Sequence, residues 1–194
     1  MKNDIKAQID RITIELIKKG LTVSENFPII SGNEVIWQNF KAITHALKNS
    51  SYHDTYHKFL EDKAYNFILI DLTIVQLMYR FDVGNNLIEH RLALYPHPDL
   101  ERFLDDPTNF ETKYYSDRAF SDIVSNIENS ASKFPIRFDF NADDSIAIDC
   151  DHPYSHLTLG DYVNCRIPVI SPITPYRFVK FILRNFYFEK YITN

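Results

Sequence analysis

The feature that most constrains this chain is a long apolar run over residues 66–81, which reads Asn-Phe-Ile-Leu-Ile-Asp-Leu-Thr-Ile-Val-Gln-Leu-Met-Tyr-Arg-Phe. Both of its alternating faces are apolar and rich in β-branched and aromatic residues, which is typical of a strand covered on both sides. The turn-like residues 82–86 and a second strand-like run over 87–95 follow at once, so this part of the sequence predicts a β-hairpin. A buried helix over 66–81 is the competing interpretation.

A second pair of runs alternates between apolar and polar residues. Residues 136–141 alternate in this way, and residues 146–151 do so again beyond a turn at 142–144. A period of two places one apolar and one polar face on each strand, so we expect a second hairpin with a polar side. Leucines at 157 and 159 alternate with His156 and Thr158 and predict a fifth strand.

Helical spacing dominates the two ends of the chain. It predicts helices over residues 4–19 and 34–48, a short helix after Asp54, and a last helix over 175–191 with Thr174 as its N-cap and proline at its first position. We interpret residues 23–32 as a connector, and residues 98–131 as helical in two pieces.

These elements predict an α+β fold, in which N-terminal helices and a C-terminal helix pack on an antiparallel or mixed sheet of about five strands. We expect a single domain over residues 1–194. Its helical N-terminal part spans 1–64, its sheet spans 65–170 with a helical insertion at about 98–132, and its C-terminal helix spans 174–192.

The composition agrees with a packed domain. Hydrophobic residues make up 45% of the chain, which contains 15 phenylalanines and 12 tyrosines, and this content excludes a disordered chain. A net charge of −5 argues against a general attraction to nucleic acid but leaves room for a local basic patch.

The two cysteines and the N-terminal residues indicate the cellular compartment in which we expect the protein. Cys150 and Cys165 supply neither a disulfide framework nor a zinc quartet. Charges interrupt the apolar positions of residues 1–19, which therefore match neither a signal peptide nor a membrane span. We expect a cytoplasmic protein that does not associate with membranes.

The predicted polar sheet face carries the candidate catalytic residues. If the second hairpin pairs as its pattern suggests, one face gathers an arginine, three aspartates and two histidines, namely Arg137, Asp139, Asp149, Asp151, His152 and His156. Arg166 is expected nearby. A carboxylate can orient a histidine for proton transfer, and an arginine can hold a phosphate or a carboxylate. The same groups could hold a divalent cation, so the metal and the cofactor stay open.

Simpler interpretations stand beside these candidates. A polar sheet face that meets only water has the same sequence pattern. Residues 89–91 of the first hairpin can form cross-strand charge pairs with Arg80, which is a structural role. The basic stripe of Arg177, Lys180 and Arg184 could bind a partner, either RNA or an acidic protein, but it also fits the solvated side of an amphipathic helix.

Several short motifs resemble the bacterial DUF2290 family of uncharacterised proteins. They are His90-Arg91-Leu92-Ala93, Tyr95-Pro96-His97-Pro98-Asp99-Leu100, Ile136-Arg137-Phe138-Asp139-Phe140, His152-Pro153-Tyr154-Ser155-His156-Leu157, Arg166-Ile167-Pro168 and Thr174-Pro175-Tyr176-Arg177-Phe178. The resemblance covers most of the chain. It implies a bacterial source and no assigned activity, and a place in a multi-gene defence system follows only by analogy.

Two functions remain as expectations. The first is a subunit that interacts with other proteins of a bacterial multi-protein system, because aromatic residues on terminal helices make good interface anchors. The alternative is a nuclease-type hydrolase that uses the His/Asp cluster, with nucleic acid as its partner and a divalent cation as a candidate cofactor. The sequence leaves the oligomeric state open.

Overall fold

A computed structural model describes residues 1–38, 51–98, 134–145, 153–160 and 165–187. These ranges contain three helices and nine strands in a single sheet. The elements are α1 (Lys2–Lys18), β1 (Thr22–Glu25), β2 (Pro28–Ser31), β3 (Glu34–Trp37), α2 (Tyr52–Glu61), β4 (Phe67–Leu69), β5 (Ile74–Phe81), β6 (Leu87–Tyr95), β7 (Ile136–Asn141), β8 (Ser155–Leu159), β9 (Arg166–Pro168) and α3 (Pro175–Phe186). The predicted α+β class is confirmed, although the sheet has more than the five strands we expected.

The strands run in the order β1-β4-β5-β6-β7-β8-β9, and the pairings between the described strands are antiparallel. The β2–β3 hairpin joins this order from the side, because β3 pairs with Tyr79 and Arg80 of β5. β4 pairs with the other end of β5, at Ile74 and Val75. The predicted hairpin of β5 and β6 is confirmed.

The apolar run over 66–81 is not one strand. It folds back on itself at residues 70–73, so that its first part is β4 and its second part is β5. Leu72 adopts a left-handed backbone conformation (φ 64°), and an Asp71 carboxylate oxygen accepts a hydrogen bond from the Thr73 backbone at 3.1 Å. An aspartate that bonds to the backbone two residues later is a common turn device, which overrides the high strand propensity of the run.

The N-terminal part contains strands where we predicted helix and connector. Residues 34–37 form β3 rather than the start of a helix, and residues 22–31 contain β1 and β2. Gly32 and Asn33 form the two-residue turn of the β2–β3 hairpin, with Gly32 at φ 56°. Val35 and Ile36 are buried on opposite faces of the sheet, one in each core, and such a run imitates a buried helix in sequence. Residues 39–48 of the predicted helix lie outside the described residues.

The ends of the three described helices differ from the predicted bounds by a few residues, and the predicted Thr174 cap is confirmed. Gly20 has a φ of 63° directly beyond α1, and the Ser51 hydroxyl accepts from the Asp54 backbone, so α2 begins before Asp54 rather than after it. The Thr174 hydroxyl accepts from the Arg177 backbone at 3.3 Å and caps α3. α3 ends at Phe186 rather than at residue 191, and Tyr187 is its C-cap with a φ of −131°. The predicted insertion at 98–132 and the strand at 146–151 fall on residues that are not described, apart from Pro98. The predicted hairpin of residues 136–141 with 146–151 is wrong, because β7 has β6 along one edge and β8 along the other.

The two faces of the sheet are covered differently. α1 and α3 pack on one face, where Leu77, Leu92 and Phe178 belong to the larger core. α2 packs on the opposite face, over a smaller core that contains Phe59 and Ile74. Along β6 to β9 this second face carries polar side chains instead, and it is there that the candidate residues lie. Among the helices described, none is both long and apolar enough to cross a bilayer.

Candidate functional site

The strand register brings three of the predicted site residues together. Asp139 of β7 lies opposite His156 of β8, and Arg137 lies opposite Thr158. On the other side of β7, Arg91 of β6 lies opposite Asp139. Because directly opposed residues of an antiparallel sheet share a face, all of these side chains lie on the same side. The other three predicted residues, Asp149, Asp151 and His152, lie outside the described residues.

Asp139 is the centre of this group. One of its carboxylate oxygens accepts a hydrogen bond from Arg91 Nε at 3.1 Å, and the other accepts from Arg137 Nε at 2.5 Å. Arg137 also bonds to the Tyr95 hydroxyl. A carboxylate bonded to two guanidinium groups is held in a defined orientation by charge-assisted hydrogen bonds. Both arginines use Nε for this contact, so their terminal nitrogens are left to face other groups.

The ionisation of Asp139 follows from these contacts. Burial by itself disfavours the charged carboxylate and would raise its pKa. The positive charges of Arg137 and Arg91 outweigh burial and lower the pKa of Asp139 below its usual value. The carboxylate is therefore negatively charged at neutral pH, and its charge in turn helps to keep Arg137 positive by raising the pKa of that group.

His156 is buried beside this carboxylate, with 4% of its side chain exposed. Its Nδ1 lies 3.0 Å from the Pro153 carbonyl oxygen. A carbonyl oxygen only accepts, so Nδ1 must carry a proton, and in the neutral ring Nε2 is then the basic nitrogen. Nε2 lies 3.8 Å from an Asp139 carboxylate oxygen, which is close enough for the carboxylate charge to stabilise a protonated imidazole.

These side chains border a concave recess of about 230 Å³, which we call the polar recess. Seven of the residues that line it have charged or titratable side chains: Glu89, His90, Arg91, Arg137, Asp139, His156 and Arg166. Three arginines thus oppose two carboxylates, and Glu89 already pairs with Arg80 outside the recess. Among the described residues that line the polar recess, the balance of charge is positive, which favours an anionic ligand.

Arg91 is the residue of this site that sequence reasoning missed. The prediction that residues 89–91 pair across the first hairpin holds for Glu89, which pairs with Arg80. Arg91 instead pairs with Asp139 on β7. Alternation along β6 does place Arg91 on the face of Glu89, but only the pairing of β6 with β7 makes Asp139 its partner.

The basic stripe on α3 is separate from the polar recess. Arg177, Lys180 and Arg184 are exposed, and the opposite side of α3 packs on the larger core. That core covers the sheet face remote from the polar recess. Within the described ranges, no group of three His, Cys, Asp or Glu side chains is placed to hold a metal ion.

Searches of curated proteins and of solved structures find no match to this chain. A family model does match, and its description is "Uncharacterized conserved protein (DUF2290)". The match covers residues 21–194, nearly the whole chain, and confirms the resemblance seen in the sequence motifs: the chain belongs to the DUF2290 family.

Proposed function

We propose that the polar recess binds a phosphate group of a nucleic acid and that His156 transfers a proton there, as in a nuclease-type hydrolase. One observation supports this proposal above the others. A buried imidazole lies 3.8 Å from the Asp139 carboxylate in a recess bordered by three arginines. Guanidinium groups match the geometry of phosphate oxygens, and histidine is the commonest group for proton transfer near neutral pH.

The reaction needs one proton acceptor at the attacking water. The water oxygen forms a bond to phosphorus while the bond from phosphorus to the leaving oxygen breaks. Nε2 of His156 takes the proton that the water loses, and solvent supplies a proton to the leaving oxygen. The Asp139 carboxylate stabilises the imidazolium that forms, and the arginines stabilise the charge that develops on the phosphate oxygens.

Asp139 has a positioning role in this scheme. Its two oxygens are engaged by Arg91 and Arg137, so we expect it to orient these arginines and to act on the reaction through them and through His156. A group held in this way pre-organises its neighbours before the ligand arrives.

His156→Asn tests the proposal. Asparagine retains an N–H near the position of Nδ1, which preserves the bond to the Pro153 carbonyl, but it has no basic nitrogen. We expect cleavage of single-stranded RNA or DNA oligonucleotides to fall about 100-fold or more. Rates are measured with and without Mg²⁺ or Mn²⁺, and circular dichroism checks the fold of the variant.

His53→Asn on α2 is the matched control, because His53 is about half exposed and lies on a helix apart from the polar recess. Wild-type protein and His53→Asn should then cleave alike. Equal traces of cleavage in wild type and His156→Asn would point to a contaminating nuclease and would end the hydrolase proposal.

We also propose a second function, as an interaction subunit of a bacterial multi-protein system that acts in the cytoplasm and in defence. A different surface supports this function. An apolar groove of about 230 Å³ lies between α1 and α3, with Ile12, Val179 and Tyr176 among its lining residues. Arg11, Lys19 and Lys180 lie along it, against the single carboxylate of Glu15, which pairs with Lys18. This charge complements an acidic amphipathic helix from another protein.

A peptide titration tests this second function. The probe is a synthetic amphipathic helix of leucine and glutamate, compared with the same helix carrying lysine in place of glutamate. We expect only the acidic helix to bind, and Lys180→Glu to weaken its binding several-fold. Equal binding of the two helices, or binding of neither, would contradict an acidic helical partner.

A further inference from the structure

We infer that Tyr95 is a positioning residue of the polar recess, whose hydroxyl holds the guanidinium group of Arg137 in the orientation that meets the phosphate of the ligand. This inference rests on the phosphate-binding step of the proposed function. It concerns a residue of β6 that acts through Arg137 and needs no contact with the ligand.

The strand register places Tyr95 beside Arg137. Arg137 of β7 lies directly opposite Ala93 of β6. Arg91 and Tyr95 stand two residues before and two residues after Ala93, so they share its face and are diagonal neighbours of Arg137. Ala93 is fully buried and has only a methyl group as its side chain. The small residue leaves room for the stem of Arg137 between its two larger neighbours.

Two contacts hold the guanidinium group of Arg137. Its Nε donates to an Asp139 carboxylate oxygen at 2.5 Å, and the group also bonds to the Tyr95 hydroxyl. Nε has a single hydrogen, which it gives to Asp139, so a terminal nitrogen is the donor to Tyr95. A planar group that is bonded at two of its nitrogens cannot rotate unless one of the bonds breaks. About a third (35%) of the Arg137 side chain is exposed, and it lines the polar recess in this fixed orientation.

Tyr95 orients Arg137 without cancelling its charge. Burial raises the pKa of the Tyr95 hydroxyl, although the positive charges of Arg137 and Arg91 oppose this effect. The hydroxyl is therefore neutral near pH 7, and its oxygen accepts from the guanidinium group as an uncharged partner. A second carboxylate in this place would also orient Arg137, but it would reduce the positive charge that attracts an anion.

The ring of Tyr95 is itself supported from the other side. It contacts Phe59 of α2, with the ring centroids 4.9 Å apart, and it packs against the smaller core. A positioning group is effective only when packing fixes its own side chain. The smaller core thus supports Tyr95, and Tyr95 in turn supports Arg137.

Tyr95→Phe tests the inference in the protein without ligand. The variant keeps the ring and its contact with Phe59 but loses the acceptor for Arg137. Heteronuclear NMR of arginine side chains measures how fast the Arg137 guanidinium rotates about its bond to Nε, and Arg137→Lys assigns the signals. Loss of one hydrogen bond to a charged group should make this rotation faster by about tenfold or more.

Tyr65→Phe is the matched control. Tyr65 belongs to the same smaller core, and its hydroxyl bonds to the Ser24 hydroxyl at 2.9 Å rather than to an arginine. This variant also removes one tyrosine hydroxyl, so it shows what a general loosening of the core does. We expect the rotation of Arg137 to be the same in Tyr65→Phe as in wild type.

Binding of inorganic phosphate, measured by calorimetry, tests whether Tyr95 acts through Arg137. Tyr95→Phe should weaken phosphate binding about tenfold in the wild-type background, because Arg137 must then be ordered when the ligand binds. In an Arg137→Ala background the same substitution should change the affinity by less than about twofold, since the group that it orients is absent.

The outcomes separate this inference from the proposed function. Unchanged rotation of Arg137 in Tyr95→Phe, or an equal loss of affinity in both backgrounds, would overturn the positioning role even if His156→Asn abolishes cleavage. The expected effects of Tyr95→Phe, together with cleavage that His156→Asn does not alter, would support the positioning role and remove the hydrolase. A wild-type protein that does not bind phosphate would remove both.

Discussion

At the scale of the residue, the most informative contrast is between two buried histidines. His156 donates through Nδ1 to the Pro153 carbonyl, so its basic nitrogen faces Asp139 and the polar recess. His90 uses its basic nitrogen inside the protein, where Nε2 accepts a hydrogen bond from the Ile173 backbone at 3.1 Å. The two imidazoles therefore turn their basic nitrogens to different surroundings, and the hydrogen bonds that each ring makes decide which.

The buried His90 should make the free energy of unfolding depend on pH. Burial lowers its pKa from 6.5 to about 4, although the charge of Asp139 opposes this shift. Below pH 6.5 the unfolded chain therefore binds a proton that the folded protein does not bind until about pH 4. We expect the free energy of unfolding to fall by about 3 kcal/mol as the pH decreases across this window. Urea unfolding at several pH values measures this loss.

His90→Gln separates this effect from other titrating groups. The glutamine side-chain oxygen can accept from the Ile173 backbone but does not titrate. The variant should therefore lose most of the pH dependence between 6.5 and 4 that wild type shows. If the free energy of unfolding depended on pH in the same way in both proteins, burial of His90 would not be the cause of the loss of stability in acid.

At the scale of the element, the β2–β3 hairpin shows how a short turn sets the position of a strand. Gly32 and Asn33 connect the two strands in register, with Ser31 opposite Glu34. The Gly32 carbonyl also accepts a hydrogen bond from Lys2 Nζ at 2.8 Å, which links the turn to α1. The turn thus places β3 beside β5 and under α1, where Val35 joins the larger core.

Gly32→Ala tests the turn. Gly32 has a φ of 56°, and no neighbouring atom lies within 4 Å of the position where a Cβ would be. The cost is therefore one of backbone conformation alone, which we expect to be about 1 kcal/mol of unfolding free energy. Gly32→Asn should cost less, because asparagine tolerates left-handed backbone better than alanine. Denaturant unfolding of wild type and the two variants measures their free energies of unfolding. A Gly32→Ala variant as stable as wild type would contradict the assigned turn.

At the scale of the whole molecule, one buried contact joins segments that are 116 positions apart in sequence. The Tyr187 hydroxyl donates to an Asp71 carboxylate oxygen at 2.5 Å, and this contact links the end of α3 to the β4–β5 turn. Burial raises the pKa of Asp71, while the bond from Tyr187 opposes that effect.

Tyr187→Phe tests this contact. The variant removes one of the two side-chain donors to a buried carboxyl group, the other being Thr73, so we expect it to lower the free energy of unfolding by about 1–3 kcal/mol. The same substitution should cost less in an Asp71→Asn background, because the acceptor has already been changed. Equal costs in the two backgrounds, measured by urea unfolding, would show that the hydroxyl stabilises the protein by another route.

Local periodicity and capping determined a large part of this protein. The sequence alone predicted the β5–β6 hairpin, the alternation of β7 and β8, and the Thr174 cap of α3. Each of these features depends on residues that are close together in sequence. It also predicted that Arg137, Asp139 and His156 share a face, since alternation assigns every second side chain to the same side of a strand.

Only the tertiary structure decided what these faces contact. β6 and β7 are separated by 40 residues in sequence, so the pair of Arg91 with Asp139 has no local signal. Similarly, short buried runs such as residues 34–37 fit a helix or a strand equally well until a neighbouring strand supplies their hydrogen bonds. The physical reason is common to both cases: a strand completes its backbone hydrogen bonds with a partner strand that can be distant in sequence, whereas a helix completes them within itself.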